Sequence, residues 1–130
     1  MIGILLITHG TLGESLVQNA CHILKKRPPL LAQLGVAAED DPLAMLPFAR
    51  GILAQVDGGE GVLVMTDIYG ATPANIAGEL LKAGRVEGVA GVSLPMLLRA
   101  LNYREAGMNT LVARALSGAR DGALDMLKDV

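Results

Sequence analysis

Two polar turns interrupt an otherwise apolar chain, and each holds a residue able to do chemistry. The first, Thr8-His9-Gly10-Thr11, follows the aliphatic run Ile2 to Ile7. The second, Thr66-Asp67-Ile68-Tyr69-Gly70-Ala71-Thr72-Pro73, follows the run GVLVM. A carboxylate beside an imidazole accepts the proton of one ring nitrogen, fixes the tautomer, and leaves the lone pair of the other nitrogen facing outward. His9 so held is an oriented nucleophile, and Asp67 is its candidate partner. Around them, Gly10, Gly70 and Ala71 permit close approach of backbone N–H groups, and the hydroxyls of Thr8, Thr11 and Thr72 add donors. Donors gathered where two helices begin suit a dianion such as a phosphoryl group.

The elements that must place these residues alternate strand and helix. Ile2 to Thr8 is nearly continuously apolar, as a strand covered on both faces is. Leu12, Leu16, Ala20, Ile23 and Leu24 then recur at helical spacing, with Glu14, Gln18, His22 and Lys25 opposite. A second strand is expected near Leu31 to Val36. Asp41-Pro42 then starts a helix to about Val56, in which Pro47 and Gly51 predict a kink. GVLVMT reads as the third strand, and the helix after it opens with Thr72 as cap and closes at Gly84. VEGVAGVS is a fourth strand, followed by helices over about Pro95 to Asn102 and Asn109 to Ser117. The tail GARDGALDMLKDV reads equally as helix or strand. This alternation predicts a doubly wound, mostly parallel α/β sheet with helices on both faces, whose ligands bind beyond the carboxyl ends of the strands. If the first and third strands are adjacent, His9 and Asp67 emerge side by side.

Composition narrows the chemistry. The 130 residues, read as a single domain over 1–130, carry 11 Lys+Arg against 13 Asp+Glu, a formal net charge of -2 that gives no pull towards a phosphate backbone. Phe48, Tyr69 and Tyr103 are the whole aromatic complement, so there is no stacking platform for bases, and nucleic acid is not an expected partner. The opening MIGILLI has no basic flank and is far short of the roughly 20 residues that span a bilayer. No membrane insertion is expected, and a lone Cys21 points to a cytoplasmic setting and a core role for the thiol. No GxxxxGK[ST] loop and no carboxylate cluster for magnesium occur, so neither nucleotide, metal nor other cofactor is called for. An attacking histidine without such machinery suggests a relay in which another protein supplies the phosphate.

Three segments, ILLITHGTLGESL, GVLVMTDIYGATPAN and VAGVSLPML, closely resemble the IIA component of the mannose family of the bacterial phosphoenolpyruvate-dependent sugar phosphotransferase system. The resemblance implies that His9 is the residue phosphorylated by phospho-HPr and that the group passes onward to a IIB component. It implies Asp67 as orienting partner, Thr72 as the hydroxyl where the family usually has serine, and Tyr69 at the rim. It also implies a homodimer in which the C-terminal segment, near Asp121 to Leu127, is an antiparallel edge strand exchanged between subunits, making five strands in all. Because the sequence ends at Val130 without an Ala/Pro-rich linker, a free-standing IIA is expected, serving either sugar uptake or, without its own permease, regulation.

Plainer readings exist for the same residues. His9 could bond a loop carbonyl, Asp67 could cap a turn, and Thr72 serves as a helix cap whatever else it does. His22 belongs to a solvated helix face. A small tetrapyrrole metal chelatase also places histidine and glycine after its first strand, but it needs further ligands, and no histidine follows His22. A receiver domain would use Asp67 as acceptor, but needs an acidic pair where Thr8-His9 stands.

Overall fold

The computed structural model of the chain describes residues 1–128. In chain order the elements are β1 (Gly3–His9), α1 (Leu12–Leu24), β2 (Leu31–Val36), α2 (Pro42–Val56), β3 (Val62–Thr66), α3 (Thr72–Gly78), β4 (Val86–Ala90), α4 (Leu94–Leu101) and α5 (Met108–Asp121). The four strands form one parallel sheet in the order β2-β1-β3-β4. Strand β1 lies at the centre, paired through Ile7 with Leu34 of β2 and Thr66 of β3. Burial on both faces explains why β1 and β3 are unbroken apolar runs: every residue from Gly3 to Thr8 and from Val62 to Thr66 is buried.

Alternate residues feed two cores. Ile4 and Leu6 of β1, with Leu63 and Met65 of β3, pack against Val17 and Ala20 of α1, Met96 and Leu97 of α4, and Leu111 and Ala115 of α5. Leu5 and Ile7, with Val62 and Val64, pack against Ala49 and Val56 of α2 and Ile76 and Ala77 of α3. Each fully buried Leu or Ile contributes about 1.5–3 kcal/mol relative to exposure. The chain leaves β1 towards β2 and later returns past it to β3, so the order reverses between β1 and β3. That reversal opens a crevice at the carboxyl ends of these two strands.

Helix α2 keeps its expected bounds, with Pro47 and Gly51 inside it, and starts from the Asp41 side chain, which accepts from the Leu43 amide at 3.1 Å. Other boundaries differ from the sequence expectation. Helix α3 stops at Gly78, well before Gly84, because the amides of Glu79, Leu80 and Leu81 turn to carbonyls three residues back and the chain then folds into the Lys82–Val86 bridge. Helix α5 runs past Ser117 to Asp121. Gly118 is no terminator there: a β-carbon at 118 would press on Pro95, Met96 and Arg99, so its absence lets α5 lie close on α4.

The predicted fifth strand near Asp121 to Leu127 is not formed in this chain. Asp121 ends α5, Gly122 closes it, and residues 123–128 are bend, irregular chain and turn, with Asp125 Oδ1 accepting from the amides of Leu127 and Lys128. A strand is a pairing rather than a local property. Without a ladder to join, local side-chain to backbone bonds decide the shape. Leu124, Met126 and Leu127 are left exposed.

At the amino end of the sheet, polar groups serve the framework. Arg104, 4% exposed, donates to the carbonyls of Pro29 at 2.6 Å and Leu30 at 3.2 Å, and reaches that of Ile2. It thereby fixes the loop in which Leu30 takes a left-handed φ of 51°. Burial draws the guanidinium pKa down, against the opposing charge of Glu105. Arg85 pairs with Asp57 at 2.7 Å, and the terminal amine of Met1 pairs with Glu60 at 2.7 Å.

Candidate functional site

At the carboxyl end the register puts His9 at the last position of β1, beside Asp67, which immediately follows β3. The His9 ring Nδ1 lies 2.7 Å from Asp67 Oδ2, and the His9 main-chain amide donates to the same oxygen at 3.2 Å. The histidine side chain is 53% exposed and the aspartate 13%. Burial pushes the Asp67 carboxyl up, but hydrogen bonds from the His9 ring, the His9 amide and its own amide, with the charge of His9, outweigh burial and hold it below the ordinary carboxylate range. An ionised carboxylate only accepts, so Nδ1 carries the proton and Nε2 keeps its lone pair.

The surrounding residues divide sharply. Gly10 turns the chain with φ +54°, and its amide donates to the Val36 carbonyl at 2.9 Å, so it is not a free donor as expected. Its carbonyl in turn sits where a β-carbon of residue 35 would be, which explains Gly35 in β2. Thr8 is also a correction: it is fully buried, and its hydroxyl accepts from the Gly13 amide at 2.8 Å, fastening α1 to β1 instead of facing an anion. That bond takes over the capping role, because Thr11 at the N-cap makes no side-chain cap bond. Thr72 is not a cap either. Ala71 holds that position, extended at φ -102°, with its carbonyl taking the Asn75 amide, and Thr72 is the first helical residue.

The hydroxyls of Thr11 and Thr72 therefore take part in no hydrogen bond among the described residues. Gly70, at φ +87°, turns the loop between Tyr69 and α3. Tyr69, 87% exposed, and Gly70 also line one end of a groove of about 510 Å³ that runs between α3 and β4 past Ala74, Gly78 and Gly88. The sequence reading left Thr66 without a role, yet its buried hydroxyl lies 3.4 Å from the second oxygen of Asp67. The signal was present: position 66 is polar at the end of a strand whose other residues are all apolar.

The family model for the phosphotransferase-system (PTS) fructose IIA component, EIIA-man, matches residues 3–116. The chain belongs to this family. The PTS system mannose-specific EIIAB component of Escherichia coli (strain K12) is 28% identical over 124 residues, which cover 93% of this chain and 38% of that protein. The chain thus spans well under half the length of that relative. Among solved structures, the phosphotransferase system component EIIA from Streptococcus agalactiae superposes with a TM-score of 0.85 at 20% identity, over 98% of each chain. The mannose/sorbose specific IIA subunit from Enterococcus faecalis gives 0.84 at 22%, over 96% of this chain and 94% of that one. These likenesses establish the fold.

The charge around this EIIA-man site has one sign. Glu14 stands in the first turn of α1, and Glu39, Asp40 and Asp41 lie between β2 and α2, the same end of the sheet as Asp67. No Lys or Arg occurs in residues 1–24 or 28–49. Asp40 accepts from the Ala37 amide at 2.7 Å, which holds that acidic loop in shape. Exposed Leu12, Leu43, Ile68 and Tyr69 stand at the same end. Among the described residues, no three His, Cys, Asp or Glu side chains group so as to hold a metal ion, and no helix is long and apolar enough to cross a membrane.

Proposed function

We propose that the chain is a phosphohistidine carrier, a phosphotransferase that takes a phosphoryl group from phospho-HPr on His9 and passes it to a IIB component, in the cytoplasm and without ATP. The observation that carries this reading is the 2.7 Å contact between His9 Nδ1 and Asp67 Oδ2 on an exposed ring at the strand reversal. The Nε2 lone pair forms the new N–P bond as the bond from phosphorus to the donor's leaving atom breaks. The Nδ1 proton stays in place, and Asp67 steadies the positive charge that develops on the ring. Thr11, Thr72 and the backbone at Gly70 and Ala71 serve the phosphoryl oxygens, with Tyr69 at the rim, and the positive end of α1 favours them. Onward transfer reverses these steps.

A protein donor suits the charge better than a small one. A free dianion meets carboxylates at Glu14, Glu39 and Asp41, whereas a protein with a basic rim brings its own neutralisation and is steered in. A homodimer is part of the same proposal. Exposed Leu124, Met126 and Leu127, together with the open edge of β4 and the groove beside it, support an exchanged C-terminal segment.

The test is phosphate incorporation from phosphoenolpyruvate in the presence of enzyme I and HPr. Acid-labile phosphate on the wild type, and none on His9→Ala, is the expected result. No phosphate on either protein overturns the carrier reading.

A further inference from the structure

Thr66 closes β3, one residue before Asp67, in the alternate row with Val64 that faces α3. Its backbone is held on both sides, opposite Ile7 of β1 and Ala90 of β4, and its carbonyl accepts the Val92 amide at 3.0 Å. The side chain is buried, and β-branching restricts it to few rotamers. A buried hydroxyl needs a hydrogen-bond partner, and among the described residues the one it has is Asp67 Oδ1, at 3.4 Å.

We propose that Thr66 is a positioning residue for the His9–Asp67 pair: its hydroxyl donates to Oδ1 of Asp67 and so keeps Oδ2 turned towards His9. A carboxylate bonded through one oxygen alone swings about its terminal torsion. Here Oδ2 takes both donors from His9, and Thr66 supplies the side-chain donor to the other oxygen. The contact is long in the uncharged site and shortens as positive charge grows on the ring and the carboxylate is drawn into a tighter bond. Without it the carboxylate turns, Nδ1 loses its acceptor for part of the time, and the ring samples the tautomer whose Nε2 has no lone pair to offer. The consequence for transfer rests on the carrier reading; the consequence for the ring does not.

Thr66→Val keeps the branched shape and removes the hydroxyl, while Thr66→Ser keeps the hydroxyl. Two measurements decide: ¹⁵N shifts of the His9 ring in the unphosphorylated protein, and kcat and KM for transfer from phospho-HPr. Thr66→Val is expected to show a mixed tautomer signal and roughly a tenfold lower kcat at unchanged KM, and Thr66→Ser to recover to within about twofold. Wild-type ring shifts in Thr66→Val overturn the proposal and leave Thr66 as core. If the wild type accepts no phosphate, the carrier reading fails while the ring shifts still decide the role of Thr66.

Discussion

The two ends of the one sheet handle charge in opposite ways. At the amino end Arg104 is buried among backbone carbonyls, Arg85 is paired with Asp57, and the terminal amine sits against Glu60. Those groups close loops and tie the start of the chain to the loop before β3. At the carboxyl end a half-exposed histidine is held from one side only, in a setting without Lys or Arg. Charged contacts that tie loops together build a framework; on the carrier reading, one that leaves a ring nitrogen over builds a reagent. Stability and chemistry should therefore separate cleanly between the ends.

His9→Ala is the strongest challenge to that separation. Phosphate acceptance should vanish while the melting temperature stays within about 2 °C of wild type, as for other exposed substitutions. A large melting shift would mean that the carboxyl end also holds the fold. Arg104→Met should do the reverse, costing about 2–3 kcal/mol, or roughly 10 °C, by stranding buried carbonyls, with transfer unchanged in the folded fraction. Thermal melts and transfer assays at a temperature well below both transitions check the pair.

Asp67→Asn keeps the shape but no longer forces the tautomer, so transfer should slow by roughly 10- to 100-fold with little change in donor KM. Equal rates would remove Asp67 from the chemistry. Gly35→Ala asks whether the carboxyl end is rigid. Its β-carbon runs into the Gly10 carbonyl, so it should cost about 1–3 kcal/mol and disturb the His9 ring shifts, although residue 35 touches no reactant.

The smallest effect is expected from pH at the amino end. The Gly59 amide holds the Asp57 carboxyl low, burial opposes, and the Gly61 amide and Arg85 add to the lowering. A carboxyl lower in the folded chain than in the unfolded one contributes stability above about pH 4 and loses it as pH falls through the folded value. Asp57→Asn should be modestly less stable near neutrality, and its melting temperature should fall less steeply below about pH 4. Identical acid limbs in both proteins would show that Asp57 does not couple folding to protons.

The pair at the heart of the site was legible because buried parallel strands are continuous apolar runs, so the points where polarity returns, His9 and Asp67, mark their carboxyl ends. The donors around the pair were not. Whether the Gly10 amide is free depends on Val36, and whether the Thr8 hydroxyl is free depends on how α1 settles against β1. Such facts lie in the pairing of distant segments, not in spacing. A local glycine misled where Gly84 suggested too long an α3, whereas the tail from Gly118, open between helix and strand, continues α5 to Asp121 because Gly118 serves a close helix contact. The tail between Asp121 and Leu127 was read through a resemblance to an assembly, and one chain by itself does not supply the ladder a strand requires.

The partners in the pair stand 58 residues apart in sequence. A polypeptide emerging from the ribosome carries its histidine long before it carries the carboxylate, and joining them requires the non-local β1–β3 ladder. Half-made or misfolded copies thus display an imidazole without its carboxylate partner. If His9 is the phosphoryl carrier proposed above, its charging doubles as an inspection step, admitting only molecules whose central strands have already found each other.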